Sequence, residues 1–163
     1  MSSHPRSCVC CGGPLDPNDL RFNYPLPDPV TELPDEEIKS RVAGGPHVFV
    51  VEGMGRFLRV LLPIALDDGR RVTFGVFVAV GSQAYEKARE AAGDGEKYLQ
   101  LTYSGLLANA IEPWGNELLG AEVEVAVLDP RQMAYVVGSE HQALARVFQE
   151  QWPASDVLGA RAG

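Results

Sequence analysis

Between residues 56 and 66 the apolar side chains recur on alternate positions. Leu58, Val60, Leu62, Ile64 and Leu66 share one side of an extended chain, which is the two-residue period of a strand. Asp67-Asp68-Gly69 is a turn signal. Val72, Phe74, Val76, Val78 and Val80 then alternate along the returning run. The opposite positions, Thr73, Gly75, Phe77 and Ala79, are also fairly apolar, which predicts that something covers the second face. Pro63 predicts an edge or a bulge, because proline lacks the N–H a central ladder needs. Val48-Phe49-Val50-Val51 predicts a short strand ahead of this hairpin. Downstream, Val123, Val125 and Val127 point one way and Glu122 and Glu124 the other. Asp129-Pro130 turns the chain, and residues 133–137 supply a partner strand.

The helical period is weaker. Tyr85, Ala88 and Ala92 form one stripe, predicting a helix over residues 83–92 with Ser82 as N-cap and Gly93-Asp94-Gly95 as stop. Residues 98–111 fit helix or strand equally. Ser139-Glu140-His141-Gln142 matches a capping box, and Leu144, Val147 and Phe148 continue that helix as far as Trp152-Pro153. The expected fold is α+β: a mainly antiparallel sheet of about five or six strands with two packed helices.

The ends read differently. Pro14, Pro17, Pro25, Pro27, Pro29 and Pro34 recur too often for helix or central strand. Residues 1–46 are therefore expected to be an irregular proline-rich N-terminal arm packed on the core, with a short helix opened at Pro34-Asp35-Glu36-Glu37 and ended by Gly44-Gly45-Pro46. Residues 47–153 form the expected α+β core, and residues 154–163 a frayed tail.

Charge narrows the function classes. The net charge of −8 argues against nucleic acid, whose binders neutralise phosphates with clustered Lys and Arg. Arg56, Arg59, Arg70 and Arg71 flank the hairpin and read as a solvated hairpin, with an anion-binding role as the alternative. Composition is that of a globular domain, with 45% hydrophobic and 22% charged residues. No apolar run approaches the ~20 residues of a membrane span, and no secretory leader is visible. Together these predict no membrane partner and a cytoplasmic location.

The three cysteines all fall in Cys8-Val9-Cys10-Cys11, followed by Gly12-Gly13. Two thiolates at the spacing of Cys8 and Cys11, with a following glycine, fit half of a tetrahedral zinc knuckle. Cys10, His47 and His4 are the nearby residues of ligand type. Structural zinc, an inert cluster and redox chemistry all remain open. His141 lies at the start of the last helix, where the dipole disfavours protonation, and reads either as a weak catalytic candidate or as a histidine bonded to a carbonyl. Trp114 stands among Glu112, Glu117, Glu122 and Glu124, as a hot spot for a basic partner or as an ordinary solvated face. No Walker loop, dinucleotide fingerprint, nucleophile elbow or zinc-protease helix is present.

Several blocks resemble a bacterial family, domain of unknown function 2199. They are Phe57-Leu58-Arg59, Leu62-Pro63-Ile64, Phe74-Gly75-Val76-Phe77-Val78, Tyr85, Gly105-Leu106-Leu107-Ala108-Asn109 and Glu140-His141-Gln142-Ala143-Leu144, with Cys8 to Gly12 similar too. The chain departs from the family pattern at Leu15, where a histidine is usual, at His47, near a usual cysteine, at Phe77, a usual tryptophan, and at Gln142, a usual proline. The resemblance implies a compact bacterial domain and a ligand-type residue near position 47; it implies no activity.

The first functional expectation is a non-enzymatic interaction protein of the immunity type, whose acidic surface masks a basic protein. The alternative is a small metal-dependent enzyme or small-ligand-binding protein using a pocket near His141, Arg59 and Asn109.

Overall fold

The computed structural model describes residues 19–162, with the exception of Pro46 and Pro130. The elements in chain order are β1 (Asp19–Asn23), α1 (Asp28–Thr31), α2 (Asp35–Arg41), β2 (Val42–Gly44), β3 (Val48–Val51), β4 (Gly55–Ala65), β5 (Arg71–Val80), α3 (Ser82–Ala91), α4 (Gly95–Leu99), β6 (Thr102–Leu107), β7 (Glu122–Ala126), β8 (Tyr135–Gly138), α5 (Gln142–Gln149) and α6 (Ala154–Ala162).

The expected α+β fold, a mainly antiparallel sheet of about five or six strands with two packed helices, is overturned. The protein is mostly β, and β4, β5, β6, β7 and β8 close on themselves as a five-stranded barrel. Consecutive strands pair antiparallel, and closure comes from one parallel contact, Leu61↔Tyr135, between β4 and β8. Three further strands extend the wall: β1 lies parallel to β5, while β3 and then β2 continue antiparallel from β4. Among the described residues, six short helices surround it. Closure is invisible to periodicity because alternation marks a strand without naming its neighbour.

The hairpin follows its pattern closely. Leu58, Val60, Leu62, Ile64, Val72, Phe74, Val76 and Val78 fill the barrel interior and are all buried. The turn is secured at Gly69 (φ +86°), where the Arg70 N–H donates to Asp68 Oδ1 at 3.0 Å. Pro63 sits inside β4 and decides where β8 lets go. The Leu61 N–H donates to Ala134 O at 2.9 Å, and the next amide aimed at that edge belongs to Pro63, which has none.

The second, apolar face of the hairpin is covered, as expected. Phe57 and Phe77 join Val30, Phe49, Val51 and Ala108 in a smaller buried cluster outside the barrel, closed by Leu26, Leu33 and Ile38. Within the expected irregular arm, the described residues carry β1, α1, α2 and β2. The alternation of Leu20, Phe22 and Tyr24 is the strand signal that the prolines obscured; Phe22 and Tyr24 stack on Phe74 at 6.1 and 6.4 Å.

Helix boundaries shift for local reasons. Ser82 lies inside α3, whose N-cap is Gly81, with no side-chain cap bond. Residues 98–111 divide between the end of α4 and β6, and α4 is capped by Asp94, whose carboxylate accepts from the amides of Glu96 and Lys97. The capping box at Ser139 does not form. Its hydroxyl donates to Glu122 O and accepts the His141 N–H at 3.0 Å, so α5 starts at Gln142. The tail expected to fray is α6. Trp152 pairs with the end of β4 through Trp152 N–H to Ala65 O at 3.0 Å, and Val157 is fully buried.

Candidate functional site

The outer edge of β4 changes partner part-way along. β3 covers it as far as Val48↔Leu58, and β8 takes over at Leu61↔Tyr135. The last bond on one side runs from Arg59 N to His47 O, 2.9 Å, and the first on the other from Leu61 N to Ala134 O, 2.9 Å. A cavity of about 320 Å³ opens at this handover. Leu58, Leu101 and Ala134 give it an apolar floor, Ala88 and Ala92 at the end of α3 close one side, and Tyr98, Tyr103 and residues 131–133 line the rest. Its size is at the lower end of the ~300–1,000 Å³ of small-molecule pockets.

The polar groups around it divide into fixed and open ones. Tyr98 donates its hydroxyl to Gln132 O, while Gln132 Oε1 accepts from Tyr135 Oη at 3.1 Å and Arg21 Nη2 at 3.3 Å. That wall is held. Arg59 is held too: Nη2 donates to Tyr24 O at 2.8 Å, Nη1 to Gly75 O at 3.3 Å, and the guanidinium lies 4.3 Å from the centre of the Phe77 ring. Arg131 reaches Asp129 at 3.5 Å from an exposed position.

His47 and Tyr103 differ. The His47 Nδ1 is buried and has no hydrogen-bond partner among the described residues. Burial, and then the positive charge of Arg59, holds its pKa below the usual histidine value, so the ring is neutral near pH 7. Tyr103 keeps some exposed surface as a residue, but burial dominates at its phenol and, with Tyr98 nearby, pushes the pKa above the usual range. The Tyr103 hydroxyl makes no hydrogen bond among the described residues. One neutral imidazole and one protonated phenol therefore line a mainly apolar cavity with bonding capacity to spare. Among the described residues the lining has no Asp, Glu, Ser, Cys or Lys.

The residues singled out from the sequence fall in different places. Arg59 lines this cavity, as does His47. Asn109 is fully buried and acts elsewhere as a latch: Oδ1 accepts from Phe77 N at 2.8 Å, and Nδ2 donates to Leu26 O at 2.9 Å and Asp28 Oδ1 at 3.0 Å. Asp28 also accepts from Ala110 N at 2.8 Å and donates its own amide to Ala108 O at 2.8 Å. Arg59 and Asn109 thus both hold residues 24–28 against the outer face of the hairpin. His141 is the N-cap of α5, half-buried, with a buried Nδ1 that has no partner among the described residues. Trp114 packs edge-on against Trp152, with centroids 5.1 Å apart. Cys8, Cys10 and Cys11, and with them the knuckle, lie outside the described residues, as does His4. Among the described residues no group of three or more His, Cys, Asp and Glu could hold a metal ion, and no helix is long and apolar enough to cross a membrane.

Sequence reasoning missed Tyr103. It lies in the stretch that fits helix or strand equally, and only the strand reading, which pairs Tyr103 with Val125, turns it inward. A larger depression of about 580 Å³ adjoins the cavity at Val48 and Ala92. Of its charged residues, Glu86 and Arg89 are exposed and paired with each other at 3.5 Å, and Arg56 is half-buried.

A closed five-stranded barrel, extended by three strands and opened by one lateral cavity, defines a small all-round β domain with a ligand-sized recess. The chain belongs to the family described as an uncharacterised protein conserved in bacteria, DUF2199, whose profile covers residues 7–150. No curated protein and no solved structure matches it.

Proposed function

We propose that this domain binds a small organic molecule in the cavity between β3 and β8 and is a binding module, not a catalyst. The observation that carries the reading is the coincidence of two open polar groups, His47 Nδ1 and the Tyr103 hydroxyl, in one mainly apolar recess of about 320 Å³. Buried polar groups are almost always hydrogen-bonded, so the buried, unpartnered His47 Nδ1 of a cavity-lining residue favours a place where another molecule's groups fit. Among the described residues the lining offers no nucleophile with an adjacent base, which favours binding over covalent chemistry.

The test is a titration of the ¹⁵N-labelled protein with a mixed set of small aromatic and aliphatic acids, amides and amines. Binding here shifts the amides of Leu58, Tyr103 and Ala134 together. Ala92→Phe, at an exposed rim position, fills the cavity and removes those shifts while the rest of the spectrum persists. Shifts elsewhere only, or none at all, end the reading.

A second reading keeps the acidic interaction protein. Leu106 is 49% and Leu119 39% exposed. Together with Met54 they line two adjoining shallow depressions edged by Asp28, Glu32 and Glu122, with Arg56 as the basic residue of the rim. An apolar centre with a mainly acidic rim suits a partner with a mainly basic rim. Leu106→Asp with Leu119→Asp would then lose a partner that the wild-type protein retains stoichiometrically in extracts of its native host. Extracts that yield no stoichiometric partner end this second reading.

A further inference from the structure

We infer, resting on the reading of the recess as a binding site, that the recess is the inner half of one groove beneath α3 and that this groove takes an elongated amphipathic acid. The ligand's oxygen-bearing inner end lies by His47 and Tyr103, its apolar chain runs along Val48 and Val50, and its anionic head stands at Arg56.

The strand register gives the two hollows one floor. Ala43 pairs with Val50, Val50 with Arg56, and Val48 with Leu58. Paired residues, and residues two apart on a strand, share a face of the sheet. Ala43, Val48, Val50, Arg56 and Leu58 therefore project from one side of the β2–β3–β4 extension. Val48 and Val50 meet the barrel core on that side, while Phe49 and Val51 turn to the smaller cluster. α3 stands over the same side. Tyr85 lines the outer depression, Ala88 the inner recess, and Ala92, at the C-cap, lines both, as does Val48. With alanine at 88 and 92 the helix covers the strands without filling the space between them. About 580 Å³ outside thus adjoins about 320 Å³ inside along one largely apolar floor.

Length follows from β4. Arg56 lines the outer depression, and Leu61 marks the inner end, where its amide donates to Ala134 O. The two residues are roughly five strand steps of ~3.3 Å apart, or about 16 Å. With C–C bonds of ~1.5 Å, shortened by the zigzag of an extended chain, about ten carbons with a polar group at each end match that span.

Polarity assigns the ends. In the outer depression Glu86 and Arg89 pair with each other at 3.5 Å, which leaves Arg56. Arg56 is half-buried, and its side chain makes no hydrogen bond or ion pair among the described residues. Glu122, in the shallow depression on its other side, is exposed and forms no ion pair with it. A guanidinium has five N–H donors and no acceptor, so a carboxylate is the group that satisfies it best. At the inner end a hydroxyl both donates and accepts, and so serves the open His47 Nδ1 in either tautomer.

The probe is ω-hydroxydecanoate, titrated into the full chain by NMR and calorimetry below the concentration at which it forms micelles. Two comparators accompany it: decane-α,ω-diol, which keeps the chain and the inner hydroxyl without the charge, and ω-hydroxyhexanoate, which is too short to bridge. The long acid is expected to shift the amides of Val50 and Tyr85 together with those of Leu58, Tyr103 and Ala134. Its carboxylate should make it at least about fivefold tighter than the diol. Burial of a methylene is worth up to about fourfold in affinity, so the short acid should be at least about tenfold weaker. In Arg56→Gln the long acid loses its advantage over the diol, whose own affinity stays as in wild type. Equal affinity for acid and diol, or an advantage that survives Arg56→Gln, overturns the anionic head. Shifts confined to Leu58, Tyr103 and Ala134, with affinity indifferent to chain length, overturn the groove and leave the recess a site for a shorter molecule. Shifts scattered over the exposed Leu99 and Leu128 mark adsorption of an amphiphile and overturn the inference as well. If no long probe moves either group of amides, the inference falls, and the recess alone is then decided by the mixed set of small compounds.

Discussion

Two polar clusters flank the β4–β5 hairpin, and they are built on opposite plans. At the outer face, Asn109 uses both ends of its amide, the Asp28 carboxylate accepts twice and the Asp28 amide donates once, so every described partner in that latch is satisfied. At the gap between β3 and β8, His47 Nδ1 and the Tyr103 hydroxyl have no partner among the described residues. Both clusters contain a buried polar group, Asn109 in one and His47 Nδ1 in the other, so burial alone does not separate structure from function. Satisfaction does. A completed network specifies one arrangement of the chain, and an incomplete one leaves a place for something else.

The largest expected effect is on the latch. Asn109→Ala strands the Phe77 N–H and the Leu26 carbonyl, and about 3 kcal/mol of stability is expected to go with them. A urea-denaturation midpoint that hardly moves would show that the latch is not structural. Combining Asn109→Ala with Asp28→Ala sharpens the point: partners in one network lose less together than the sum of their separate losses.

The opposite result is expected at the gap. Tyr103→Phe removes a hydroxyl that bonds nothing among the described residues, so stability should stay within ~0.5 kcal/mol of wild type. Probe binding should nevertheless weaken several-fold. A marked loss of stability in this variant would move Tyr103 to the structural side of the comparison.

The smallest effect is a pH dependence. The folded-state pKa of His47 lies below its unfolded value. As pH falls through the ordinary histidine range, near 6.5, the unfolded chain takes up a proton that the folded chain resists, and stability declines. The contribution is complete above that range and diminishes below it, towards the lowered folded pKa. His47→Gln should flatten this part of the stability profile, as measured by thermal unfolding between pH 5 and 8. Because His47 is only partly buried, the change in midpoint should be small; an unchanged slope would show that the ring is not held neutral.

Much of the wall was legible in the sequence and the closure was not. The alternation of Leu58 to Leu66 and of Val72 to Val80, and the outward Glu122 and Glu124, were all readable because an alternating strand needs only its own residues. The parallel contacts of β1 with β5 and of β8 with β4 join segments far apart in the chain, and no local pattern encodes them. The same reason hid the candidate site. Arg59 and His47 were visible as residue types, but Tyr103 and Ala92 come to them from other elements through closure of the barrel. Asn109 was visible as well, and only its three bonding partners identify it as a latch. Ser139 shows the converse case, a good local signal overruled when its hydroxyl turned to Glu122.

The barrel is also unevenly sewn. β4 and β5 pair from Arg56↔Val80 to Ala65↔Arg71, and β6, β7 and β8 form their own meander. Among the described residues the ladder pairs joining these two blocks are Val78↔Leu107 with Ala79↔Leu106, and Leu61↔Tyr135, supplemented by Ala108 N to Phe77 O and Leu61 N to Ala134 O. Each block is local in sequence and able to form early, while the seams between them are the natural hinges of sub-global opening. Amide exchange should therefore be fastest along the seams. The recess lies across one of them, with Leu58 from the first block facing Tyr103 and Ala134 from the second. Whatever occupies it becomes a cross-tie between two cooperative units, so occupancy would register in the exchange rates of strands that never touch the ligand.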